Sequence, residues 1–136
     1  MSKSLRQRGT TLVETLVALL VLSIGLLGVA ALQVNALQTN QGAHVRSQAS
    51  VLAYDIADRM RANRTVALAS GYDVAYSAKV TGTALNQLDL ANWKTALANT
   101  LPSGDGQVAT VGNIAVISVR WTDKLGTQEF VTRTRI

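Results

Sequence analysis

One uninterrupted apolar run constrains this chain more than any other feature: Leu12 to Leu32 reads LVETLVALLVLSIGLLGVAAL, with Glu14 its only charge. As a helix, those residues would span roughly 31 Å, the hydrocarbon thickness of a bilayer. A helix also satisfies its own backbone hydrogen bonds in lipid, where water cannot. Lys3, Arg6 and Arg8 flank the run on its N-terminal side. The positive-inside rule therefore holds the N-terminus in the cytoplasm and sends everything after Gln33 across the membrane.

Composition narrows the choices for the rest of the chain. Hydrophobic residues make up 48% of the 136 residues but aromatics only 4%, so the apolar content is mostly Ala, Leu and Val. The residues beyond the run can bury only a modest core. The chain has no cysteine and a single histidine, His44. That rules out disulfides and thiolate metal sites and leaves no histidine cluster for a metal, though an oxidising compartment stays open. The formal net charge of +5 invites a nucleic-acid reading until its location is considered. Thirteen basic side chains less the three of the leader leave ten against eight acidic ones, a net of +2. The excess is a targeting signal, and nucleic acid is not an expected partner.

A conventional secretory signal is the first rival, with Val29-Ala30-Ala31 as a cleavage site. The apolar run is long for that role, starts directly after a charged leader and carries a carboxylate. Glu14 has two readings of its own. It is either a tolerated interfacial acid near the cytoplasmic end, or a charge kept in lipid because it has a partner.

Arg8-Gly9-Thr10-Thr11-Leu12-Val13-Glu14 resembles the type III signal of type IV prepilins: a basic leader ending in Gly, then an apolar helix with Glu at its fifth position. The resemblance implies that a prepilin peptidase cuts between Gly9 and Thr10 and methylates the new amine on Thr10. It implies too that Glu14 pairs with the terminal amine of a neighbouring subunit and sets axial register. Thr10 departs from the Phe or Met usual at that position.

Past the run, no strong helix breaker occurs before about Asn63. Gly25 and Gly28 are spaced i, i+3 rather than as a dimer motif, and Gly42 costs about 1 kcal/mol without ending a long helix. Ala49, Leu52, Ala53, Ile56 and Met60 form one apolar stripe. Asp55 with Arg59 and Asp58 with Arg61 sit at pairing distance on the other side, and Arg59, Arg61 and Arg64 read as an exposed, partly paired surface. A single helix over 11–63 is expected, with residues 10–32 in the membrane and residues 33–64 amphipathic. Residues 65–82 read as a loop within a small globular part, 65–136. Leu88 to Ala98 reads as a short helix, stopped by the turn cluster Leu101-Pro102-Ser103-Gly104-Asp105-Gly106. Strands are expected over Gln107–Val111, Asn113–Trp121 and Gln128–Ile136, with a hairpin turn at Asp123-Lys124-Leu125-Gly126. On the middle strand Ala115, Ile117, Val119 and Trp121 share one face, while Arg133 and Arg135 share a solvated face of the last. Trp93 and Trp121 are expected in the core, and His44 at solvent or a subunit contact.

The expected fold is thus α+β and type IV pilin-like, a long N-terminal helix on a small antiparallel sheet, with residues 1–9 a cleaved cytoplasmic leader. No triad order, phosphate loop or carboxylate pair appears, so no catalytic residue, metal site or cofactor is assigned. Residues 9–64 further resemble minor pilins of the PilV kind, through the apolar run and through Ala53-Tyr54-Asp55-Ile56-Ala57-Asp58-Arg59-Met60-Arg61-Ala62-Asn63-Arg64. That resemblance implies a structural subunit that primes pilus assembly and modifies pilus function. Its partners would be major and minor pilins, prepilin peptidase, the inner-membrane assembly machinery and the lipid bilayer. It would sit in the inner membrane with a periplasmic C-terminal domain, then in the pilus at the cell surface. A minor pseudopilin of a type II secretion system, or a pilin-anchored module for DNA uptake or adhesion, remains open.

Overall fold

A computed structural model describes residues 12–136. Three helices precede three strands: α1 Leu12–Ala62, α2 Arg64–Leu68, α3 Leu85–Thr100, β1 Asp105–Val111, β2 Ile114–Asp123 and β3 Gly126–Arg135. The chain divides into two compact units, one ending at Asn40 and one covering Gln41–Ile136. α1 covers the length expected of a single helix, Thr11 lying outside the described residues. It stops where Asn63 leaves helical geometry at φ −116°, ψ 50°.

In the second unit, Ala49, Ala53, Ile56, Ala57 and Met60 of α1 are buried, and Leu52 is partly so. Three of the five are alanines, which pay little helix propensity and let the backbone approach its neighbours closely. They share one core with Leu90, Trp93 and Leu97 of α3 and with Val108, Ala115, Ile117, Val119 and Trp121 of the sheet. The fold is the pilin-like α+β arrangement, the helix packed on a three-stranded antiparallel sheet of order β1-β2-β3.

Register follows turn chemistry. β1 and β2 join through Gly112-Asn113, where Gly112 takes φ +62°. β2 and β3 join through Lys124-Leu125, with Asp123 paired to Gly126. The Asp123 carboxylate accepts the Leu125 N–H at 2.7 Å, the local bond that makes Asp a turn residue. The alternation of β2 is as expected: Ala115, Ile117, Val119 and Trp121 are buried, and Ile114 is exposed. Arg133 and Arg135 are exposed, as is His44.

Two expectations change. The short helix is longer, Leu85–Thr100, and ends because Leu101 precedes Pro102 and is driven to extended geometry, φ −112°, ψ 141°. The segment expected to be a plain loop, 65–82, begins in α2, returns Tyr72 to the core and pairs Val74 with Val108 at the edge of β1. Gly106 marks a close approach of the sheet to α3. A Cβ there would strike the Trp93 ring and Leu97.

Candidate functional site

From Leu12 to Asn40 every residue of α1 is exposed. The most apolar 18-residue window of the helix has a mean hydropathy of 2.6, and none of it is buried among the described residues. A helix apolar all round suits lipid or the apolar faces of other helices. One polar group inside the apolar run is satisfied by the helix itself. The Ser23 hydroxyl donates to the Leu19 carbonyl at 2.6 Å, removing an otherwise unsatisfied donor from an apolar surface.

Glu14 lies in the first turn of α1 and is exposed. Val17, Ala18 and Val21 follow it at three, four and seven residues, so helical geometry surrounds its carboxylate with apolar neighbours on its own face. Among the described residues it has no ion-pair partner. Lys3, Arg6, Arg8, Gly9 and Thr10 lie outside the described residues.

Residues 31–99 match the Tt1218-like family, described as type IV pilin Tt1218. This chain belongs to the Tt1218-like type IV pilins. Residues 4–30, a span that includes Gly9, Thr10 and Glu14, match the prokaryotic N-terminal methylation motif. Comparison with curated proteins and with solved structures gives no match. As a type IV pilin the protein is a structural subunit and not an enzyme. Its prepilin signal and apolar helix take it to the membrane and then to the pilus, with prepilin peptidase and the other pilus assembly components as its general partners.

The folded unit of this pilin carries two polar nodes that sequence reasoning missed. Asp89 on α3 accepts from Arg59 Nη1 at 3.1 Å and from the Tyr72 hydroxyl at 2.7 Å, while Arg59 Nε also reaches Asp55 at 3.1 Å. Arg59 is therefore not simply part of an exposed surface; it ties α1 to α3. The bond to Asp89 is the chief reason its guanidinium is held above its ordinary pKa, against the opposing effect of burial. Burial, then the bond to Asp89, raises the Tyr72 hydroxyl. Arg61 behaves as expected toward Asp58 at 2.5 Å, and it also donates to the Thr134 hydroxyl and the Arg135 carbonyl.

Asp105 is the second node. Its carboxylate accepts from Lys94 Nζ at 2.7 Å, from the Ser77 and Gly106 N–H groups at 2.7 and 2.8 Å, and from Arg120 at 3.3 Å. Burial alone would raise its pKa, but Lys94 and the two backbone donors outweigh it and hold the carboxyl below its usual value. Arg120 also lies 4.0 Å from the centre of the Tyr76 ring, and the Tyr76 hydroxyl donates to Glu129 at 2.6 Å. Burial, reinforced by that bond, pushes the Tyr76 hydroxyl up to about 12. Tyr76 thereby fastens the 73–84 segment onto the outer face of the sheet. Apart from the neighbouring Gly106 N–H, the partners in these bonds are 11 to 53 residues apart, and local periodicity carries no trace of them. Among the described residues, no group of three His, Cys, Asp or Glu is placed to hold a metal.

Proposed function

We propose that this type IV pilin is a minor pilin of the PilV kind, a subunit that primes pilus assembly and modifies the function of the filament. The carrying observation is the helix from Leu12 to Leu32, apolar, exposed among the described residues and charged only at Glu14. On this reading residues 1–9 are a cytoplasmic leader removed between Gly9 and Thr10, residues 10–32 span the inner membrane, and residues 33–64 form the amphipathic part of the helix. Residues 65–136 complete the periplasmic domain, and Thr10 becomes the methylated N-terminus. Glu14 pairs with the terminal amine of a neighbouring subunit and sets the axial register. A charge at the centre of a membrane-spanning helix costs about 2.5–3.5 kcal/mol on insertion scales; Glu14, near the cytoplasmic end, bears only part of that cost, and a carboxylate kept inside the apolar run fits an assembled partner rather than insertion.

Glu14→Val separates the two steps. The variant inserts at least as well as the wild type and is still cut after Gly9, but its recovery in sheared surface filaments falls strongly at equal membrane levels. Equal recovery would reduce Glu14 to a tolerated interfacial residue and leave helix packing alone to set register.

A further inference from the structure

β2 runs opposite to the part of α1 that lies in the folded unit. At the start of β2, Ile114 and Ala115 pair with Arg135 and Thr134, and Arg61 of α1 donates to both of these. Five residues further on, Val119 pairs with Gly106, which lies against the Trp93 ring. Trp93 Nε1–H in turn reaches the Leu52 carbonyl at 2.8 Å. Roughly 16 Å of strand thus accompany roughly 14 Å of helix, taken from Arg61 back to Leu52. Continued in that direction, β2 carries its closing turn, Asp123 to Gly126, toward the end where α1 enters the unit at Gln41.

That turn presents an aliphatic side chain where turns ordinarily carry polar ones. Leu125 is 90% exposed, more than any other large hydrophobic residue among those described. The turn holds it outward, with Asp123 paired to Gly126 and the Asp123 carboxylate on the Leu125 N–H. Beside it Lys124 is exposed, and so is Arg46 on the entering stretch of α1. Among the described residues neither cation has an ion-pair partner. The apolar run closes at Leu32, nine residues before Gln41, which is about 13 Å of helix. A bilayer crossed by that run adds a headgroup layer of about 5–8 Å on each side, leaving a gap that a projecting turn can bridge.

We infer that Lys124-Leu125 is an interfacial anchor for the folded unit. Leu125 enters the headgroup layer of the bilayer that the apolar run crosses, and Lys124 and Arg46 meet the phosphates of its anionic lipids. One leucine and two cations suffice because α1 already holds the turn at the surface, so the contact is intramolecular in effect and readily reversed. This inference rests on the membrane-spanning reading of residues 10–32.

The cysteine-free sequence allows single labels in the full-length chain. An environment-sensitive fluorophore goes on Thr127→Cys beside the turn, on Val111→Cys at the opposite end of β2, or on Leu22→Cys in the run. Each protein is placed in phosphatidylethanolamine vesicles with or without phosphatidylglycerol. Lipid spin-labelled at its headgroup should quench the Thr127 label severalfold more than the Val111 label when phosphatidylglycerol is present. Leu125→Asp, Lys124→Glu or omission of phosphatidylglycerol should each remove most of that excess. Lipid spin-labelled deep in its acyl chain should quench the Leu22 label, which tests the spanning reading by itself. With Leu22 quenched, equal quenching at Thr127 and Val111 would overturn the anchor alone. A Thr127 label shielded from water but untouched by lipid quencher would show protein covering the turn and overturn it too. Indifference to both Lys124→Glu and phosphatidylglycerol would overturn the anionic headgroup as ligand. An unquenched Leu22 label would bring down the spanning reading and the anchor together.

Discussion

Gly106→Ala tests the packing that seats α3 on the sheet. A Cβ at Gly106 would strike the six-membered ring of Trp93 and the Leu97 side chain, and Trp93 cannot retreat freely. Its ring is buried, and its Nε1–H donates to the Leu52 carbonyl of α1 at 2.8 Å. Overpacking a fitted core by one methyl costs about 1–3 kcal/mol. At about 2 kcal/mol, a domain of this size loses roughly 8–16 °C in Tm. Trp93→Phe removes the ring atoms that the new methyl meets, at its own cost in volume and in the bond to Leu52. With Phe at that position Gly106→Ala should cost almost nothing, since Gly in a strand is already worse than Ala by about 0.5–1 kcal/mol. The assay is thermal unfolding of the full chain in detergent, read by near-ultraviolet circular dichroism for all four members of the cycle. A coupling of about 1–3 kcal/mol is expected. Additive losses would refute the placement of the Trp93 ring over Gly106.

Two further outcomes rest on the polar nodes. Because the Asp105 pKa is lowered on folding, its contribution is present above the unfolded carboxylate value and lost as pH falls through the folded one. The Tm gap between wild type and Asp105→Asn should therefore be full at neutral pH and close in acid; a gap constant down to pH ~3 would contradict the assignment. Tyr72→Phe deletes a hydroxyl bonded to Asp89 and Asn63 and should cost about 1.5–3 kcal/mol by thermal unfolding, whereas a loss below ~0.5 kcal/mol would mean water replaces the bond.

How much is legible in the sequence differs by segment, for physical reasons. The apolar run, the helical stripe and the alternation of β2 are local periodicities imposed by a nearby lipid or core face, and they stand in the sequence. Pro102 and the Asp123-Lys124-Leu125-Gly126 turn are equally local, because their chemistry acts on adjacent backbone. Tyr72 and Tyr76 are not legible. The segment around them lacks periodicity, and what orders it is a set of bonds to Asp89, Glu129 and Arg120 distant in sequence. Arg59 is only half legible for the same reason: Asp55 is one helical turn away, but Asp89 is 30 residues on. At the candidate site, Glu14 stands out by sequence alone because a single carboxylate in an apolar run has few neutral explanations.

The most direct measurement is the intact mass of protein extracted from membranes of cells that possess prepilin peptidase. The account predicts a chain of residues 10–136 beginning at Thr10, nine residues shorter than the precursor and carrying one added methyl group on its amine. A mature N-terminus at Leu32 would instead mark a conventional secretory signal. An uncut chain in the presence of active peptidase would equally contradict processing between Gly9 and Thr10.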